Sequence, residues 1–305
     1  MQKGSDMDGQ GMHGPDPVTR IESDGIVVTV SDHGAEMQSL MTPDGRELLW
    51  HGDPQVWSGR SPILFPIVGR APDDRVAIDG QGGEMAQHGF ARRMTFDRIK
   101  AEPTRVVHSL TDNMATHDAY PRPFALTVTH AVSGATLAVT AVVANTGRAM
   151  MPFCLGFHPA FLWPLPGAEG QAHRIALDNG AEPALARLTN GLLDDTRHPS
   201  PFTGGELRPD PAMFDADAMI FPEGAGQGLR FDAPDTADAP SLRFTFENLP
   251  NLALWQKPGA PFLCIEPWHG MAARKGAGPE IAERPGAITL APGESARFRW
   301  SVTIG

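Results

Sequence analysis

The sequence predicts an all-β protein built from two large packed sheets. Three observations point there. Apolar and polar residues alternate with period two along most of the chain, the pattern of strands with one buried face. No segment carries a long 3.6-residue apolar stripe of the kind that alternates with strands in α/β proteins. The 33 glycines and 29 prolines among 305 residues are scattered rather than clustered, as many short turns between strands require.

Taken in order, the expected strands are "GIVVTVS" (25–31), "RVAID" (75–79), "TRVVHSL" (104–110), "FALTVTHAV" (124–132) and "ATLAVTAVVAN" (135–145). "VSGA" (132–135) reads as the hairpin turn between the last two. Later come "LRFTF" (242–246), "LALWQK" (252–257), "FLCIE" (262–266) and "ARFRWSVTI" (296–304), the last entered through the turn "LAPGES". Residues 183–193 are expected to hold one short helix. Residues 194–212, rich in Pro and Asp, read as a surface loop. Residues 1–20 read as a flexible, polar, Gly-rich tail and residues 21–305 as a single domain.

Composition excludes several function classes. Net charge is −11 with no Lys/Arg run, so a nucleic-acid surface is not expected. The longest apolar run, "LAVTAVVA", is too short to span a bilayer. The N-terminal stretch lacks the apolar core of a secretory signal. Cys154 and Cys264 both sit in apolar contexts and read as buried free thiols, which fits a cytoplasmic setting.

Four stretches place polar side chains inside apolar or Gly-rich sequence. "SPILFPIVGR" ends in Arg70, "QHGFAR" holds His88 and Arg92, "GFHPAF" holds His158, and "FLCIEPWHG" holds Glu266 beside Trp268. Glycine or proline next to these residues marks strand ends, where sites on β scaffolds lie. Singly, each has a plain structural explanation: a hydrogen-bonded core histidine, a solvated turn arginine. Glu266 is the exception, because a carboxylate inside an apolar strand is costly unless paired or used. Alternation puts Phe262, Cys264 and Glu266 on one face, and an extended 154–158 would do the same for Cys154, Gly156 and His158. A metal site is not expected. His88, His158 and Glu266 are about 70 and 108 residues apart, and no HxH or HExxH occurs. Nor is a nucleophile: there is no GxSxG, and neither cysteine has a neighbouring cation in sequence.

Together the stretches resemble the aldose 1-epimerase (galactose mutarotase-like) family, specifically its LacX-like branch. The resemblance runs from about residue 25 to the C-terminus through "GAEMQSL", "LFPIVGR", "QHGFAR", "YPRPFAL", "FCLGFHPAF", "FDADAMIF", "LALWQKPGAPFLCIEPW" and "LAPGES", in family order. It implies a large antiparallel β-sandwich that binds a sugar in a shallow cleft and needs no cofactor. It implies that Glu266 takes the proton of the anomeric hydroxyl, that His158 protonates the ring oxygen, and that His88 lies beside the ring. Arg70 matches the family's F-P-x-x-G-R arginine, and Asp217, with Asp215 a near neighbour, matches the aspartate that holds sugar hydroxyls. Arg92 and Trp268 complete the expected sugar contacts. The family's sugar-binding glutamine has no match, since Gln256 sits after Trp255.

A carboxylate and an imidazole suit mutarotation. Opening an aldose ring takes a proton from the C1 hydroxyl and gives one to the ring oxygen, and closure reverses both. With reference pKa values near 4.3 and 6.5, Glu⁻ beside His⁺ is the expected pairing at neutral pH. The expected substrate is a free aldohexose such as glucose or galactose. A hexose 6-phosphate held by Arg60, Arg70 or Arg92 is the alternative, and a non-catalytic sugar-binding protein is a further one. No other partner is expected beyond a second copy of the chain, as monomer or homodimer.

Overall fold

The computed structural model describes residues 17–224 and 226–305. Most of the expected tail, residues 1–16, therefore lies outside the described residues. Residues 18–20 open the first strand, Val18–Glu22, which pairs with Val27–Ser31.

Two large sheets dominate. One has nine strands, running from Glu206–Leu207 at one edge to Asp97–Glu102 at the other. Its centre is the hairpin Phe124–Ser133/Thr136–Asn145 flanked by Ser295–Ile304. The "VSGA" turn falls where expected, with Gly134 at φ 52°. The second sheet orders its strands as Leu192–His198, Leu185–Thr189, Met219–Phe221, Asn251–Trp255, Phe262–His269, Leu155–Phe157 and Ile63–Leu64, with Ala160–Leu162 paired to Phe262–His269. Every pairing within these two sheets is antiparallel. The fold is the expected all-β sandwich.

The main core lies between the sheets. Phe298, Trp300 and Val302 alternate inward from one, and Leu252, Leu254, Leu263 and Ile265 from the other. Phe161 meets Phe244 at 5.1 Å and Phe157 meets Trp300 at 6.2 Å between ring centres. On its other face the second sheet carries Leu64, Ala186, Ile220 and Trp268, which cluster with Val68, Cys154, Met271 and Ala272. That double burial explains why Phe262–His269 is buried along nearly its whole length. Leu263 and Ile265 feed the sandwich core; Glu266 and Trp268 floor a cavity on the outer face, while Cys264 packs beside them against Trp50, Ala160 and Phe262.

Two local expectations fail. Residues 183–193 form no helix but most of a β-hairpin, with Leu188 opposite Leu193 and Thr189 opposite Leu192. Asn190 and Gly191, at φ 54° and 80°, make a two-residue turn with both residues left-handed, the Asn-Gly signature whose twist matches paired strands. The 194–212 segment is not a plain loop either. Leu192–His198 extends into it, Glu206–Leu207 joins the nine-stranded sheet, and Phe202 and Leu207 are buried.

Candidate active site

The cavity over the second sheet holds about 500 Å³. Its lining includes His88, Arg92, His158, Asp217, Glu266 and Trp268, together with Trp57, Trp255, Arg93 and Lys257. Of the seven residues expected to form a site, six therefore converge. Arg70 does not line the cavity. Its guanidinium grips Asp74 through Nε–Oδ1 at 2.7 Å and Nη2–Oδ2 at 2.6 Å, and it borders a neighbouring groove instead. Arg60 is likewise engaged elsewhere, donating to the Gln38 carbonyl at 2.6 Å. Asp217 reaches the cavity and Asp215 is absent from its lining. Asp217 sits in a left-handed turn, φ 67°, just before Met219–Phe221. Gln256 is buried and donates to the Ala260 carbonyl at 2.7 Å, outside the cavity.

Backbone geometry aims each group. Glu266 projects from the centre of its strand, opposite Ala253. His158 follows Leu155–Phe157, whose Gly156 pairs with Trp268. A Cβ on Gly156 would lie 2.6 Å from the Trp268 ring, so glycine is what lets the indole lie flat there. His88 occupies a tight turn with φ 68°, followed by Gly89 at 73°. A Cβ on Gly89 would come within 2.1 Å of the Phe65 carbonyl oxygen. The Gly69 N–H donates to His88 Nδ1 at 3.1 Å. This favours the neutral tautomer with its hydrogen on Nε2, which faces the Gln87 side-chain amide at 3.3 Å. Behind this turn, the buried Arg284 donates to the carbonyls of Val68 and Arg70.

Glu266 is 1% and His158 6% exposed. Glu266 Oε2 stands 3.3 Å from His158 Nε2. Trp57 stacks on the His158 ring at 5.1 Å and Trp255 meets it edge-on at 5.6 Å. Burial pushes the Glu266 carboxyl well above the usual carboxylate range. The indole N–H of Trp268, which completes no hydrogen bond itself, opposes this, Asp217 adds to it, and Arg92 counters it. Burial and then Arg92 push His158 down to about 3. His88 is pushed well below its ordinary value by burial, then by His158 and the surrounding arginines. Burial thus works against the expected Glu⁻/His⁺ pair. In a site this dry, desolvation outweighs mutual attraction. Burial favours instead a single proton on the pair, held by Glu266.

Sequence reasoning missed the aromatic wall of Trp57 and Trp255. Trp255 was within reach, since it caps the strand beside Phe262–His269. Trp57 comes from a loop with no periodic signal.

Residues 17–199 match the family model described as aldose 1-epimerase. The chain belongs to the aldose 1-epimerase family. It is a sugar isomerase of the LacX-like branch. The LacX protein of Lactococcus lactis subsp. lactis is 26% identical over 296 residues, which cover 93% of this chain and 98% of that protein. The structure of a galactose mutarotase related enzyme from Lactobacillus acidophilus superposes with a TM-score of 0.88 at 27% identity, covering 95% of this chain and 97% of the other. A galactose mutarotase-like protein from Lactobacillus casei gives 0.88 at 26% identity, covering 95% and 100%. Among the described residues, no helix is long and apolar enough to cross a membrane.

Proposed function

We propose that this protein interconverts the α and β anomers of a free aldohexose by general acid–base ring opening. The observation that carries this is the Glu266–His158 pair, 3.3 Å apart on the floor of a sugar-sized cavity. Glu266 accepts the proton of the C1 hydroxyl as the C1–O1 bond becomes a carbonyl. The C1–O5 bond breaks, its electron pair stays on O5, and His158 supplies the proton there. This step starts from Glu⁻/HisH⁺ and ends with GluH/His. The end state is the one that burial favours, and closure on either face of the aldehyde runs the step backward. Burial makes the starting tautomer the rarer one, and the short gap between the groups lets the proton cross to populate it. A positioned acid or base contributes about 10²–10⁴-fold. His88, Asp217, Arg92 and the Trp268 indole N–H hold the sugar's other oxygens, and Trp57 and Trp255 offer apolar faces to its C–H groups.

One observation favours a hexose 6-phosphate as the second reading: Arg92, Arg93 and Lys257 all line the cavity. Arg93 and Lys257 already donate to backbone carbonyls of Gly89 and Val56, so Arg92 is the cation best placed for a phosphate. Anomer exchange measured by NMR across free aldoses and their 6-phosphates tests both. A free hexose is expected to be turned over without added cofactor. A preference for the 6-phosphate well over tenfold in kcat/KM, erased by Arg92→Ala, would replace the first reading with the second. Binding without exchange for every sugar would leave a sugar-binding protein.

A further inference from the structure

The fold brings one more donor to the acid–base pair. Cys264 lies two residues before Glu266 on the same strand face. One ligand atom from each of His158, Cys264 and Glu266 lies within 4.8 Å of the others. All three are buried. Within this cluster Glu266 Oε2 is shut from solvent and, although 3.3 Å from His158 Nε2, completes no hydrogen bond, a state that a ligand would relieve. From sequence no metal site was expected of His88, His158 and Glu266; the set that closes to within 4.8 Å has Cys264 in place of His88.

We propose that His158, Cys264 and Glu266 form a latent site for a thiophilic divalent cation, of which Zn²⁺ fits best, and that filling it blocks the sugar reaction. The blocking half rests on the proton-transfer reading above; the binding half does not.

The donor set selects the ion. Thiolate, imidazole and carboxylate suit Zn²⁺, whereas Mg²⁺ and Ca²⁺ demand a shell of oxygens. Bond lengths near 2.0–2.3 Å set ligand separations of roughly 3.3–3.8 Å in a tetrahedral site. The Glu266–His158 pair already has that spacing at 3.3 Å. The thiol lies within 4.8 Å of the other two ligand atoms, so it has at most about 1 Å to close to reach that spacing. His158 and Glu266 line the cavity, so water or a sugar hydroxyl there could complete the shell. Charge balances as well: a dication with one thiolate and one carboxylate is neutral overall, so the ion enters a dry site without leaving a net charge there.

Binding proceeds by displacement of protons. The Cys264 S–H and the Glu266 carboxyl each lose one to solvent, His158 gives a lone pair, and nothing is oxidised. Because binding releases two protons, affinity should rise with pH, by up to about 100-fold per pH unit. Occupation disables catalysis because the metal claims the lone pairs that move the sugar's protons.

The test uses the full chain, freed of metal by chelator dialysis and loaded with metal ion alone. Co²⁺ is expected to produce a thiolate-to-cobalt charge-transfer absorption that Zn²⁺ displaces. Zn²⁺ is expected to slow anomer exchange, and chelator to restore it. Cys264→Ser and Cys264→Ala, one keeping the volume and one removing the polar atom, should both lose the absorption. Both should need at least tenfold more Zn²⁺ for equal inhibition, with metal-free rates within a few-fold of wild type. Absence of the absorption in wild type, or inhibition unchanged in both folded variants, overturns the site. Acceleration by Zn²⁺ overturns the blocking role. If the absorption appears in a protein with no sugar exchange, the site stands and the acid–base reading falls.

Discussion

Replacing Glu266 by Gln should stabilise the protein as pH rises, while disabling it. In the folded state the carboxyl titrates well above its ordinary value because burial disfavours the charge. The folded state therefore binds more protons than the unfolded chain between the two pKa values. Stability is lost as pH rises through that window, at about 1.4 kcal/mol per pH unit. Gln keeps the shape, leaves no cavity and cannot ionise. For a domain of this size the melting entropy is on the order of 0.6 kcal/mol/K, so each pH unit in the window should widen the Tm gap by about 2 °C in favour of the variant. The assay is thermal unfolding of both proteins at several pH values from 4.5 upward. The difference between the curves cancels effects common to both, such as the buried histidines and any fixed cost of the amide. A gap that does not change with pH, or one that moves against the variant, would show that the carboxylate is charged and paired in the fold, and the shared-proton account would fail.

Three further outcomes follow from the same physics. The kcat/KM of the sugar reaction should show no acid limb between pH 7 and 5, because His158 is depressed to about 3; a limb centred near 6.5 would mean an imidazole at its ordinary value. His130 is buried and depressed to about 3 by burial, with His108 adding to it. Folded His130 resists a proton that the unfolded chain accepts, so stability should fall by about 1.4 kcal/mol per pH unit below 6.5, and His130→Leu should flatten that slope in acid-unfolding curves. Arg284→Gln should lower Tm by removing charged donors worth about 1.5–3 kcal/mol each from the Val68 and Arg70 carbonyls. It should also loosen the His88 turn, seen as a change in the ¹⁵N shift of its acceptor Nδ1, with Arg284→Lys partly restoring it; an unchanged Nδ1 signal would separate Arg284 from the site.

Much of the site was legible because it sits on strands with strong alternation. Glu266 stood out as a charge where the period-two pattern called for an apolar residue, and Gly156, Gly89 and Pro159 marked where the backbone had to approach or turn. At the hairpin 185–198, Leu185, Leu188 and Leu192 mimic helical spacing, but the left-handed Asn190–Gly191 pair decides for paired strands. Arg70 looked like a site residue by motif, yet Asp74 four residues on was the nearer partner, and a bidentate grip between them wins over a distant cavity. The protonation of the pair could not be read from residue types. Reference pKa values predict Glu⁻/His⁺, and only the depth of burial reverses that order.

The claim that Glu266 and His158 work as one proton-handling unit is tested most directly by anomer-exchange rates of Glu266→Gln, His158→Asn and the double variant under saturating sugar. Each single substitution should lower kcat by at least about 10²-fold. The double should be little worse than either single, because a base without its acid partner is already disabled. Sugar Kd should move far less than kcat. Losses that multiply in the double variant, or a Glu266→Gln enzyme within a few-fold of wild type, would contradict the account.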